Sequence, residues 1–91
     1  MHPAVGCVVQ IWVKLFATFR QYLPEKAGSE GVLLEIGEHA TPLQVLQRLG
    51  VPVDAIHLVL INGEYIKPQR RQEAVFHDQD VLAVWPAVAG G

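Results

Sequence analysis

Apolar residues in this chain recur at every second position in several short stretches, and at helical spacing in only one. From Gln10 onward Ile11, Val13 and Leu15 alternate with Trp12, Lys14 and Phe16, and β-branched and aromatic residues dominate, which predicts a strand. The residues before it include Pro3 and Gly6 and show no period, so residues 1–10 read as an N-terminal extension. Thr18 to Glu30 contains Pro24 and Gly28 and reads as a loop with a helical turn at Phe19–Leu23. Gly31–Gly37 is a second strand bounded by glycines.

The helix signal follows. Thr41 is a candidate N-cap, Pro42 stands at the first helical position, and Gln44 completes a capping box. Leu43, Val45, Leu46 and Leu49 form the apolar stripe, Gly50 is placed to end the helix in the left-handed conformation, and Pro52 blocks continuation. His57–Ile61 reads as an apolar strand from the middle of a sheet. Asn62-Gly63 is a two-residue hairpin turn, and Glu64–Ile66 returns as a short strand. A polar stretch, Lys67 to Asp80, leads to the last strand, Val81–Trp85, which Pro86 stops.

Strand, strand, helix, strand, short strand, strand predicts an α+β roll. A mixed sheet of four to five strands would carry one helix packed across it, the β-grasp (ubiquitin-like) arrangement, one of a few that the periodicity alone allows. The domain then spans residues 11–86, and residues 87–91 form a tail ending in Gly90-Gly91. In such a sheet the first, last and third strands lie side by side. If Val13, Leu15, Val59, Ile61, Leu82 and Val84 face the helix, then Trp12, Phe16, Leu60, Ala83 and Trp85 face away as one apolar patch, a candidate partner surface. The competing reading is that the N-terminal extension folds over it.

Composition narrows the function classes. The chain has 91 residues, 51% of them hydrophobic, enough for one core. A net charge of −2 gives no electrostatic footprint for nucleic acid or anionic membrane. Cys7 is the single cysteine, and His2, His39, His57 and His77 lack ligand spacing, so neither a thiolate cage nor another metal site is expected. Cys7 reads as inert, Lys67, Arg70 and Arg71 as a solvated loop, and Asp78 and Asp80 as turn formers. The N-terminus has no basic residue ahead of its weak apolar stretch, and the run Val81 to Ala89 is too short to span a bilayer, so a cytoplasmic protein is expected.

Several segments, in order, resemble the MoaD/ThiS family of sulfur carriers, which includes the small subunit of molybdopterin synthase. They are Leu15-Phe16-Ala17-Thr18-Phe19-Arg20, Val59-Leu60-Ile61-Asn62-Gly63, Asp80 to Pro86, and the tail Ala87-Val88-Ala89-Gly90-Gly91. The resemblance covers residues 11–91. This chain has Ala87 where the family usually has a second proline, and its helix is short, closer to the compact thiamine-pathway carrier.

The resemblance implies a mechanism without a side-chain active site. The Gly91 carboxylate would attack the α-phosphate of ATP on an E1-like adenylating enzyme, releasing pyrophosphate. Sulfide or a persulfide would then displace AMP and leave a thiocarboxylate, a soft nucleophile that needs no neighbouring base. No cofactor would be bound permanently; ATP would belong to the partner, and the sulfur would be covalent. Fully extended, residues 87–91 span roughly 17 Å, and Gly90 and Gly91, preceded by Val88 and Ala89, could thread a narrow channel. The recipient would be the catalytic subunit of molybdopterin synthase, for molybdenum or tungsten pterin cofactors, or thiazole synthase in thiamine synthesis. Two other classes stay open: a ubiquitin-like protein modifier, and a β-grasp interaction module whose tail is never activated. A terminal Gly-Gly alone equally describes a frayed end.

Overall fold

The computed structural model describes residues 7–87. Its strands are β1 (Val8–Leu15), β2 (Val32–Gly37), β3 (Ile56–Ile61), β4 (Glu64–Tyr65) and β5 (Val81–Pro86), with one helix, α1 (Pro42–Arg48), between β2 and β3. They form a single sheet in the order β2-β1-β5-β3-β4. Only β1 and β5 run parallel; the other neighbours are antiparallel. This is the β-grasp roll that the element order predicts, with five strands and one helix across them.

Alternation along the strands builds the core. Ile11, Val13 and Leu15 of β1, Leu34 and Ile36 of β2, Val59 and Ile61 of β3, and Leu82 and Val84 of β5 are all buried in one cluster with Val45 and Leu46 of α1. Phe19, Val51, Ile66 and Phe76 complete it from the connections. Phe19 lies in a 3-10 helix, Ala17–Tyr22, where the sequence suggests a helical turn. Phe76 follows Ala74 and Val75 in a stretch that otherwise reads as polar, too short a run to show a strand or helix period, and Val75 packs beside it against the core.

The helix is set by its ends. The Gln44 backbone N–H donates to Thr41 Oγ1 at 3.1 Å, and the Thr41 N–H donates to Gln44 Oε1 at 3.0 Å, closing the capping box. At the other end Gly50 has φ of 88°, its N–H donates to the Gln47 carbonyl, and the Val51 N–H reaches back to Leu46 O. That is a Schellman ending, which requires a residue tolerant of positive φ. Two turns suffice because packing, more than length, stabilises the helix.

Two expectations shift. β1 begins at Val8, inside the stretch read as an extension, because Val8 pairs with Gly37, Val9 with Ile36 and Gln10 with Glu35. Val9 packs partly against the core, carrying the inward alternation of Ile11, Val13 and Leu15 back along the strand, while Val8 and Gln10 are exposed. β3 is second from an edge, and only Val59 and Ile61 are buried; Ile56, beyond a register shift, packs partly against the core, while Leu58 and Leu60 face outward. Asn62 and Gly63, with φ of 52° and 84°, make the tight turn into β4.

Leu46 is fully buried, so Leu46→Ala is expected to cost about 2–5 kcal/mol in denaturant melts. A cost below about 0.5 kcal/mol would be incompatible with this packing. Gly31 is more constrained. Its φ is 92°, and a Cβ there would lie 2.1 Å from the Val13 carbonyl oxygen, whereas one at Gly37 would meet nothing within 4 Å. Gly31→Ala should therefore destabilise by roughly 2 kcal/mol or more and Gly37→Ala by under about 1. Equal melting temperatures for the two variants would refute the close approach.

Candidate functional site

The strand residues that do not face α1 form the opposite surface of the sheet. Trp12 lies between Leu33 of β2 and Val81 of β5. Ala83 lies between Lys14 and Leu60, and Leu60 pairs in turn with Tyr65 of β4. Trp85 pairs with Leu58, and its ring stacks on Phe16 with centroids 4.3 Å apart and planes 4° from parallel. The structure thus brings Trp12, Phe16, Leu60, Ala83 and Trp85 onto one face, all half-buried. Leu33, Leu58, Tyr65 and Val81 extend it. The same two-residue period could have found Leu58 and Val81; Tyr65 and Leu33 need the strand pairing.

The face has a charged margin. Lys14 and Arg20 line a cleft with Phe16, and Lys26 and Glu30 lie with Trp12 and Leu33 around an open cleft of about 560 Å³ bounded by the Gly28–Gly31 turn. An apolar centre with charge at its rim is the usual composition of a recognition surface.

The start of β5 is fixed by a polar clamp. Asp80, the one buried charged residue among those described, accepts Asn62 Nδ2 on Oδ1 and the His77 backbone N–H on Oδ2, both at 2.8 Å. Asn62 Oδ1 accepts the Val81 N–H at 2.9 Å. Asp78 Oδ1 accepts the Gln10 N–H at 2.8 Å. Both aspartates therefore shape the turn into the last strand, tying it to β1 and to the β3–β4 hairpin.

The end of β5 is where the tail begins. Pro86 is buried and pairs with Ile56, and the Ala87 N–H reaches the Ala55 carbonyl at 3.4 Å. Val88, Ala89, Gly90 and Gly91, the residues expected to do the chemistry, lie outside the described residues.

The remaining candidates stay apart. Cys7 is exposed, and no group of three metal-ligating side chains occurs among the described residues. Arg70 pairs with Glu73 at 3.1 Å. Arg71 is not a solvated loop residue: it is half-buried, and its Nη2 donates to the His57 carbonyl at 3.2 Å. No helix among the described residues is long and apolar enough to cross a membrane.

Comparison with known proteins adds to this geometry. A family model described as the ThiS family matches residues 13–91. No curated protein matches by sequence. Among solved structures, the small archaeal modifier protein 1 of Haloferax volcanii is 30% identical, with a TM-score of 0.61 over 90% of this chain and 99% of that one. The small archaeal modifier protein 1 of Methanosarcina acetivorans is 26% identical, with a TM-score of 0.65 over 94% of this chain and 100% of that one. A Pyrococcus furiosus protein named for subunit 1 of molybdopterin converting factor is 25% identical, with a TM-score of 0.61 over 88% and 99%. With the roll, the matched span and these likenesses together, the chain belongs to the ThiS family, a group of ubiquitin-like sulfur carriers and modifiers.

Proposed function

We propose that this protein is a cytoplasmic sulfur carrier whose Gly91 carboxylate is adenylated by an E1-like enzyme and converted to a thiocarboxylate. The sulfur then goes to a synthase that builds a molybdenum or tungsten pterin cofactor. The observation that carries the reading is the position of the tail root. β5 is hydrogen-bonded on both sides, and Pro86 and Ala87 are held against Ile56 and Ala55. Chemistry at a partner's buried site needs a rigid handle and a narrow leader. The four residues after Ala87 can reach roughly 13–14 Å when extended, and none is larger than valine.

In this reading the sheet face docks and the terminus reacts. Trp12, Phe16, Leu60, Ala83 and Trp85 supply the desolvated centre that such an interface needs, and Lys14 and Arg20 would meet carboxylates on the partner. On this reading the terminus needs no acid, base or metal from the protein; ATP binds to the activating enzyme, and only sulfur is carried. Likeness to the Pyrococcus furiosus protein favours the molybdopterin synthase subunit as recipient, with thiazole synthase as the thiamine-pathway counterpart. A second reading, covalent attachment to lysines of other proteins, is favoured by the 30% identity to the Haloferax volcanii modifier. Both begin with the same acyl-adenylate. Mass spectrometry of protein from its native host separates them: sulfur in place of one terminal oxygen supports the carrier, and isopeptide adducts support the modifier.

Removing Gly91, or adding one residue after it, is expected to abolish pyrophosphate exchange with the cognate activating enzyme while leaving the melting temperature nearly unchanged. One extended residue moves the terminus by roughly 3.3–3.6 Å, more than an in-line attack at about 3–3.5 Å tolerates. Full exchange without Gly91 would end the carrier reading.

Trp85→Ala should weaken binding to the activating enzyme or synthase by roughly thirtyfold, the loss expected for an anchor worth about 2 kcal/mol. The variant should stay folded, because Trp85 is only half-buried. Unfolding with no soluble product would instead assign Trp85 to the core.

A further inference from the structure

We propose that Arg48 shields the open edge of β2 from pairing with a second copy of this chain. This goes beyond the carrier reading and rests on the edge geometry alone. β2 is an outer strand of the sheet, paired only with β1. The Glu38 N–H donates to the Cys7 carbonyl, so the even-numbered positions of this strand make the bonds to β1, and Leu33, Glu35 and Gly37 turn their backbone groups outward, the Gly37 carbonyl being already taken by the Ala40 N–H. Such a row is a template for another strand. A second copy fits it antiparallel with Leu33 opposite Glu35, avoiding the like-charge pairing that places Glu35 opposite itself. Leu33 is 37% exposed at this edge and continues into the apolar face, so pairing would also join two apolar faces.

Arg48 blocks that row. From the last turn of α1 its Nη1 donates to the outward carbonyl of Glu35 at 2.9 Å. Arg48 is exposed, so core packing does not account for its reach. The opposite side of the sheet has the same device. β4 pairs only with Leu60 and Ile61, leaving the start of β3 open, and there Arg71 covers the His57 carbonyl. Arg71 Nε is buried without a partner among the described residues. An orphaned buried donor is costly, so carbonyl capping explains an arginine at this position better than packing does. Two arginines from separate helical segments thus cover carbonyls on two open stretches of strand.

The test compares the full chain with Arg48→Ala by sedimentation over a concentration series, with amide exchange read at Leu33 and Glu35. Alanine preserves helix propensity. The native chain is expected to be monomeric, and the variant to self-associate with a constant raised roughly tenfold or more, with new protection at those two amides. Arg48→Met keeps the apolar stem without the donor and must behave like Arg48→Ala, which guards against a folding defect in either. Adding Glu35→Pro to Arg48→Ala removes an outward N–H while sparing the bonds to β1, and should restore the monomer. The proposal is overturned if both Arg48 variants sediment like the native chain, or if association survives Glu35→Pro.

Discussion

The parallel pairing of β1 with β5 is the contact on which everything else in this fold depends. It places the last strand between the first and third, so β5 is bonded on both sides, by β1 through Val81–Val84 and by β3 through Leu82–Pro86. One face of that central strand gives Leu82 and Val84 to the core, and the other gives Val81, Ala83 and Trp85 to the outer surface. The tail therefore leaves from a strand bonded on both sides. Without this pairing the Phe16–Trp85 stack would lack its register, because Phe16 reaches Trp85 only when its N–H bonds to the Val84 carbonyl.

Core and candidate docking surface are consequently made by the same strands. A substitution at Val84 and one at Trp85 lie one residue apart, yet one would act on stability and the other on recognition. The sheet can carry an apolar outer face because its polar demands are met elsewhere. Asn62, Asp78 and Asp80 satisfy the backbone where β5 begins, and the two arginines cover outward carbonyls. On the proposed reading the apolar surface is left for a partner, while the outward carbonyls of Glu35 and His57 are covered.

Most of this was legible in the sequence, for identifiable reasons. Local signals survived intact: the capping box at Thr41, the left-handed Gly50 and the Asn62-Gly63 turn are decided by a few adjacent residues, and they appear where the sequence puts them. Two-residue alternation sorted the inner residues of β1 and β5 from Trp12, Phe16, Ala83 and Trp85. What escaped was non-local. Phe76 sits in the short apolar run Ala74–Phe76, too brief to show a period, and Val8–Gln10 extend β1 through their pairing with β2. The polar character of Arg71 suggested solvent, while the structure uses it against a strand that ends too early for its neighbour. The terminal glycines, whose chemistry is proposed from the resemblance, lie outside the described residues.

The order of the strands has a consequence for how the molecule is made. Trp12 and Val81 are partners separated by 69 positions of chain (81 − 12). During synthesis β1, β2, α1, β3 and β4 emerge before the strand that joins them, and until it arrives β1 and β3 each expose an unpaired side at the centre of the future sheet. Closing so long a loop is slow, and a nascent chain waiting in that state is vulnerable to misassociation. The polar clamp around Asp80 joins both waiting partners at the start of β5, through Gln10 and Asn62, and so supplies a docking point from which the last strand can zip toward its tail.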